Sequence, residues 1–196
     1  MAQTSTTLIS AKSHITSITG TDISLSATAG VYTISATSTV LTGAGKLAVG
    51  DLITVSGSAS NNSTFTVNTV VSTTELTVAE VITSENADGS STITLDHVGF
   101  VSDKAKGDGY YSQPDGVHTV AYQVANDFNA DATIKMQGTL ATTPTEDDWF
   151  GIANTTFTSD TSTLTSSFNF TGNYVWVRSK TQLLTAGTTN SILLNS

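Results

Sequence analysis

The sequence predicts an all-β protein, and three observations support this prediction. Hydroxyl residues are abundant, with 38 Thr and 25 Ser among 196 residues. Isolated aliphatic residues alternate with them, which is the period of two of a strand with one buried and one solvated face. No segment carries apolar residues at i, i+3, i+4 and i+7 over a length sufficient for a helix.

The first 97 residues predict an extended arm followed by a small β-module. Residues 1–25 hold only scattered apolar side chains, so we expect an N-terminal arm, either extended or as an edge strand, that lies on a neighbouring molecule, with a frayed terminus as the alternative. Residues 26–97 are more regular, with glycine, asparagine and aspartate turns between short strands. This pattern favours a small barrel or sandwich. The predicted strands are at 31–34, 52–55, 64–67, 75–78 and 92–95.

The second half of the chain predicts a larger module. Residues 98–116 mix charge, glycine and proline without a regular period, so we expect a linker there. Alternation resumes in residues 117–196, which contain both tryptophans. We therefore expect an antiparallel, jelly-roll-like β-sandwich with an aromatic core. The predicted strands are at 118–124, 132–140, 149–152, 167–170, 174–178 and 191–194.

Charge and composition limit the partners that this chain can bind. The formal net charge is −9 and the sequence pI is about 4.4, so phosphate backbones and anionic lipid are repelled. We therefore expect no nucleic-acid partner and no membrane. The chain has no cysteine, so its robustness must come from sheet packing or from association with other copies. Nothing in the composition indicates a cofactor.

One part of the chain resembles a module of tailed-bacteriophage structural proteins. The glycine-flanked strand at residues 50–57, followed by the turns and strands at 61–67 and 73–78, carries this resemblance. The module occurs notably in virion proteins of phages that infect marine and cyanobacterial hosts. The resemblance implies a virion component that is assembled in the host cytoplasm.

A second part is similar to a sandwich repeat of phage decoration, fibre and tail-associated proteins. The strands at residues 132–140 and 172–178, with residues 148–150 before the second of them, carry this similarity. The loop at residues 144–148 departs from the pattern, because it is acidic and long where a glycine-bearing tight turn is expected.

Six aromatic side chains are candidate binding residues. Tyr110 and Tyr111 are adjacent in the predicted linker. In an extended segment they would point to opposite sides, so that one anchors the linker while the other faces a sugar ring or a protein. The other four are expected to form apolar surfaces that contact further copies of the chain, and they are Phe168, Phe170, Tyr174 and Trp176.

Two segments are candidate cation sites, the turn from Asp127 to Asp131 and the acidic run from Glu146 to Asp148 beside Trp149. Asp127, Asn129 and Asp131 have the oxygen spacing that opens an EF-hand loop. Ala132 then stands where that loop needs glycine, and Gly138 stands where it needs a bidentate glutamate. The sequence therefore favours a hairpin turn without a metal. We interpret the acidic run at 146–148 as a solvated loop.

The sequence does not indicate catalysis. His14, His97 and His118 lie far apart and lack the paired spacing of a zinc site, so we expect them to bond locally. No G-x-S-x-G nucleophile elbow occurs. We therefore expect a protein that is not an enzyme.

These observations and the phage resemblance together predict a function in the virion. We expect a non-enzymatic structural protein that decorates or cements the capsid as a homotrimer, with the major capsid protein or other virion proteins as partners. Its weak contacts would be multiplied by linkage within the particle. One alternative is a tail, baseplate or fibre subunit that binds host glycan through surface aromatics, Tyr110 and Tyr111 among them, and through acidic loops. A second is a hydrolase of cell-surface polysaccharide, whose paired carboxylates would be recognisable only in space.

Overall fold

The structure, a computed structural model, confirms the all-β prediction. It describes residues 5–111, 116–159 and 164–195, and within them the regular elements are strands and two short 3-10 helices. The chain forms two compact units. Unit 1 consists of Met1–His14 and Val101–Ser196, and unit 2 consists of Ile15–Phe100. None of the helices in the described part of the chain has the length and hydropathy of a membrane span.

Unit 1 contains a five-stranded antiparallel sheet. Its strand order is β1-β17-β11-β15, and β2 pairs with β17 beyond β1. The strands are β1 (Ser5–Ile9), β2 (Lys12–Ser13), β11 (Val117–Val124), β15 (Thr165–Thr171) and β17 (Thr188–Asn195).

The second sheet of unit 1 is built around two longer strands. Strand β12 (Thr133–Thr139) pairs with β16 (Trp176–Gln182). Strands β13 (Phe150–Gly151) and β14 (Phe157–Thr158) pair with β12, and β10 (Ala105–Lys106) pairs with β16. Two 3-10 helices, η1 (Asp108–Tyr111) and η2 (Glu146–Asp148), lie in the connections.

The core of unit 1 comes from alternate residues of strands in both sheets. Strand β11 contributes Val120 and Tyr122, β12 contributes Ile134 and Met136, and β17 contributes Ile192, all of them 0% exposed. The phenol of Tyr122 donates a 2.8 Å hydrogen bond to the carbonyl of Thr155, so this buried hydroxyl is satisfied. The alternation seen in the sequence is therefore the core pattern of a two-sheet arrangement, as in a sandwich.

Unit 2 is a second antiparallel sheet with its own core. Its strand order is β9-β6-β7-β8-β5-β4, and β3 pairs with β9. The apolar cluster at its centre includes Ile34, Ile53 and Leu76, each 0% exposed. The strands are β3 (Ile18–Gly20), β4 (Ile23–Thr28), β5 (Val31–Ala36), β6 (Asp51–Ser56), β7 (Thr64–Ser72), β8 (Glu75–Val78) and β9 (Ile93–Val101).

The structure corrects the expected N-terminal arm at residues 1–25. Strand β1 pairs with β17 along Ser5–Ile9, and the side chains of Leu8 and Ile9 are only 9% exposed. Residues 15–25 instead belong to unit 2 through β3 and β4. Strands β1 and β3 thus pair with strands that lie far away in the sequence, whereas β4 pairs with its neighbour β5.

The expected linker at residues 98–116 is also corrected. Strand β9 continues to Val101, and β10 and η1 follow it, so most of this segment is regular structure. The unit boundary falls at Phe100–Val101, and residues 98–100 are part of unit 2. The predicted boundaries of 26–97 and 117–196 therefore shift, because short strands in polar segments pair with partners that local alternation does not reveal.

Candidate functional site

The candidate site of unit 1 begins at the pairing of β10 with β16. Ala105 lies opposite Val177, and Lys106 lies opposite Trp176. This register places the short strand of a charged, glycine-containing segment beside a tryptophan that is more than sixty residues away in the sequence. This pairing fixes the position of the chain just before η1 begins.

Two glycines let η1 lie directly against the backbone that precedes β16. The N–H of Gly107 donates to the carbonyl of Val175 at 3.1 Å, and the N–H of Gly109 donates to the carbonyl of Tyr174 at 2.8 Å. A Cβ atom on Gly107 would collide with the carbonyl oxygen of Tyr174. A Cβ atom on Gly109 would lie 2.7 Å from the carbonyl oxygen of Asn173. The Gly-Asp-Gly sequence is therefore required by close backbone approach.

The end of η1 brings three aromatic rings together, and we call Tyr110, Tyr111 and Trp176 the aromatic platform. The ring centroids of Tyr110 and Trp176 are 4.8 Å apart with an interplanar angle of 57°. Those of Tyr110 and Tyr111 are 5.1 Å apart at 77°, an edge-to-face contact. Tyr110 is 43% exposed and Tyr111 is 55% exposed, so the platform opens to solvent.

The tryptophan of the platform is held by its ring nitrogen. Nε1 of Trp176 donates a 3.0 Å hydrogen bond to the carbonyl of Thr142, in the loop between β12 and β13. The indole is partly buried, so this bond satisfies a polar group that would otherwise be poorly solvated. The platform thus has a fixed ring at its base and two more exposed rings above it.

Two lysines lie over the platform rings. Nζ of Lys104 is 4.6 Å from the ring centroid of Trp176. Nζ of Lys106 is 4.2 Å from the centroid of Tyr110 and 5.6 Å from that of Tyr111. These distances are within the range of cation–π attraction, which is strongest for tryptophan. The rings therefore hold both ammonium groups at the surface of the platform.

A buried histidine and an aspartate fix the start of η1. Oδ2 of Asp108 accepts a 2.6 Å hydrogen bond from the N–H of Gly116 and lies 3.4 Å from Nε2 of His118. His118 is 1% exposed, and its ring stacks on Phe170 at 4.9 Å. At His97, likewise, Nε2 lies 3.4 Å from a carboxylate oxygen of Asp51.

The structure divides the six predicted binding residues between two places. Tyr110, Tyr111 and Trp176 meet in the platform, whereas Phe168 and Phe170 belong to the strand β15. Phe170 is 6% exposed, so it is a core residue and not part of an outer contact surface.

The remaining predicted residues contact aromatic neighbours of their own unit. The ring of Phe168 is partly buried and lies 5.6 Å from that of Tyr122. The ring of Tyr174 lies 6.0 Å from Phe150 and 6.3 Å from Phe170. Tyr174 and Trp176 thus contact different rings.

The expected opposite orientation of Tyr110 and Tyr111 is also corrected. They belong to a 3-10 helix and not to an extended segment, and their rings touch each other. Lys104, Lys106 and Thr142 were missed by sequence reasoning. The signal that could have indicated the lysines is their concentration, because six of the seven basic residues belong to unit 1.

The turn that suggested a metal ligand set is occupied by structural hydrogen bonds. The side-chain amide of Asn129 donates to the carbonyl of Leu183 at 3.0 Å, and its oxygen accepts from the N–H of Thr185 at 3.0 Å. Among the residues that the structure describes, no group of three or more His, Asp or Glu side chains is arranged to hold a metal ion.

The acidic loop at 146–148 is likewise bound to its own unit. Glu146 pairs with Arg178, and Asp148 accepts hydrogen bonds from the N–H and hydroxyl of Thr145 at 2.7 and 2.8 Å. The bond from the N–H of Thr145 lowers the pKa of the Asp148 carboxyl below its ordinary value. These contacts hold the acidic side chains against the loop itself and against strand β16.

Comparison with known proteins gives no relative for this chain. No protein-family model matches it, and no curated protein or solved structure matches it either.

Proposed function

We propose that this chain is a non-enzymatic virion protein of a tailed bacteriophage that binds carbohydrate of the host surface through the aromatic platform. The phage assignment is supported by the resemblance of residues 50–78 and 132–178 to virion modules. The binding role is supported by the site itself. Of the two virion roles expected from the sequence, the exposed rings favour a tail, baseplate or fibre subunit over a capsid decoration protein.

The observation that carries this proposal is the exposure of Tyr110 and Tyr111 at a rigid position. A large aromatic side chain that stays 43% or 55% exposed forgoes burial worth about 1 kcal/mol or more. The C–H groups on one face of a sugar ring carry partial positive charge, and they fit the negative face of an aromatic ring. Backbone hydrogen bonds of η1 hold the rings in place, so binding orders few side chains.

Glycan binding by the full chain tests the proposal. The wild-type protein should bind members of an array of bacterial surface glycans, and Tyr111→Ala should weaken the binding at least about tenfold, as loss of one ring contact implies. Phe150→Ala is the matched control, because Phe150 is 45% exposed in the same unit but lies outside the platform. An array without any bound glycan, or equal binding by Tyr111→Ala, would contradict the proposal.

Capsid decoration is the second candidate, and strand β15 favours it. This strand pairs with β11 along one edge, and its residues 165–171 include no charged side chain or proline. Natural sheet edges are usually protected by such residues, so an unprotected edge can pair with another chain. The partner would be a further copy in a homotrimer, or the major capsid protein.

The oligomeric state distinguishes the decoration role. Light scattering should then find a trimer, and Ser167→Lys should convert it to monomer because it places a charge on the edge strand at an exposed position. Val49→Lys, at a residue of unit 2 that is 54% exposed, is the control. A wild-type monomer that also fails to bind isolated capsids would exclude this role.

A further inference from the structure

We propose that the carbohydrate recognised by the aromatic platform is acidic, and that Lys104 and Lys106 bind the carboxylates of its uronic acid residues. This inference rests on the proposed carbohydrate-binding function and adds the class of sugar. The structural basis is the position of the two ammonium groups, one over Trp176 and one over Tyr110.

The platform carries two ammonium groups in a protein that is otherwise acidic. The whole chain has seven basic and sixteen acidic residues, yet two of the seven basic residues are on these three rings. Two acidic residues are close to these lysines in the sequence: Asp103 adjoins Lys104, and Asp108, two residues after Lys106, accepts from Gly116 and lies beside His118. Neither lysine of the platform forms a salt bridge to a described carboxylate.

The rings prepare the lysines for an anionic ligand. A lysine side chain normally loses much rotamer freedom when it binds, and a cation–π contact restricts part of that freedom beforehand. Each ammonium keeps three N–H donors, and a charge-assisted hydrogen bond to a carboxylate is about twice as strong as a neutral one. Nζ of Lys106 is 4.2 Å from the ring centroid of Tyr110 but 5.6 Å from that of Tyr111, which is 55% exposed, so Tyr111 is the ring that can contact the sugar while the ammonium groups contact its carboxylates.

The two lysines offer two contact points to an acidic carbohydrate. Lys104 lies on Trp176 and Lys106 on Tyr110, and the centroids of those two rings are 4.8 Å apart. A chain with a carboxylate on successive residues can contact both lysines. The net charge of −9 acts against any polyanion, whether phosphate or carboxylate, so binding of a uronate chain would depend on these two local ammonium groups and on the ring contact.

Matched acidic and neutral sugars test the inference with the full chain. Isothermal titration would compare oligogalacturonate, oligoalginate and hyaluronan fragments with their methyl esters, which keep the sugar rings but remove the charge. At least one acid should bind about tenfold more tightly than its ester at low salt, and the difference should decrease as salt screens the charges. Lys104→Gln with Lys106→Gln should abolish this preference without changing the circular dichroism spectrum.

The possible results distinguish the role of the two lysines from carbohydrate binding by the platform. Lys46→Gln is the control, because Lys46 is a basic residue of unit 2, and it should keep the full preference. Equal binding of acids and esters, lost in Tyr111→Ala, would overturn the role of the lysines while carbohydrate binding stands. Binding of neutral array glycans alone would do the same. Absence of all sugar binding would overturn both.

Discussion

Arg178 and Glu146 form a bidentate ion pair that ties a loop of unit 1 to strand β16. Nη1 and Nη2 of Arg178 donate to the two carboxylate oxygens of Glu146 at 2.8 and 2.7 Å. Nε donates to the side-chain carbonyl of Gln137 at 2.9 Å, and the guanidinium carbon lies 4.2 Å from the ring centroid of Trp149. The Arg178 side chain is 6% exposed, so its charge depends on these partners.

Replacing this arginine by lysine should destabilise unit 1. In Arg178→Lys a single ammonium cannot reproduce the planar fork or the stacking on Trp149, so we expect a loss of about 2 kcal/mol in unfolding free energy. Urea unfolding followed by tryptophan fluorescence measures this, because both tryptophans belong to unit 1. Lys46→Arg in unit 2 is the control, and an unchanged midpoint for Arg178→Lys would show that the pair contributes little.

Glycine 109 should be required for the geometry of the platform. In Gly109→Ala the new methyl group would lie 2.7 Å from a backbone carbonyl oxygen, so η1 must move away from the chain that precedes β16. We expect loss of the near-ultraviolet circular dichroism of the contact between Tyr110 and Trp176, together with loss of glycan binding.

A second glycine provides the control for that substitution. A Cβ atom on Gly151 would meet its nearest neighbour, a side-chain carbon of Lys135, at 4.0 Å, which is an ordinary contact. Gly151→Ala should therefore keep both the spectrum and the binding. If both variants behave alike, close packing at Gly109 does not determine the platform.

Thr155 should contribute to stability through its hydroxyl rather than its size. Its Oγ1 accepts from the N–H of Met136 at 3.1 Å and donates to the carbonyl of Ile152 at 2.7 Å, in a fully buried position. Thr155→Val keeps the shape but leaves two buried backbone groups without this partner, which costs about 1–3 kcal/mol. Thr156→Val, at the exposed neighbouring position, should change the unfolding free energy by less than about 0.5 kcal/mol. Equal effects in thermal unfolding would contradict this.

Removing residues 1–14 should destabilise unit 1, in contrast to the removal of a free arm. The deletion removes β1 and β2 from the edge of β17 and, with them, the burial of Leu8 and Ile9. Two aliphatic side chains contribute about 3 kcal/mol or more by burial. Calorimetry should show a lower transition temperature for unit 1, and Leu8→Ala should give part of the same effect. If the truncated chain kept its stability, the N-terminal residues would be a free arm, as the sequence predicts.

Acid should remove a stabilising contribution of Asp22 in unit 2. The hydroxyl of Thr39 and the backbone N–H groups of Thr39 and Ser38 hold the pKa of the Asp22 carboxyl well below its ordinary value. The stabilisation is therefore complete above the pKa of an unfolded aspartate, about 3.9, and is lost as the pH falls toward the lower folded value.

A comparison of two variants across pH measures this contribution. The difference in urea midpoint between wild type and Asp22→Asn should be largest near neutral pH and should shrink as the pH falls below about 4. Thr156→Val, at an exposed position of unit 1 and without a titratable group, serves as the control and should show no such dependence. A constant difference between pH 7 and pH 2 would argue against the proposed linkage.

Local patterns in the sequence were sufficient to predict the strands in which apolar and polar residues alternate regularly. The predicted strand at 118–124 became β11, and the inward positions Val120 and Tyr122 are both fully buried. The two-residue strands β2 and β10 could not be predicted in this way, because they contain too few residues to show a period. The pairing of β1 with β17 joins strands near opposite ends of the described sequence.

The sequence by itself determined the all-β class, the alternation that builds each core, and the separation into two units. Only the tertiary structure decided that Tyr110, Tyr111 and Trp176 meet, that Lys104 and Lys106 lie on them, and that the N-terminal residues complete a sheet. The physical reason is that alternation is a local property of a strand. Threonine- and serine-rich strands resemble one another, so their partners are selected by burial and close backbone packing over the entire chain.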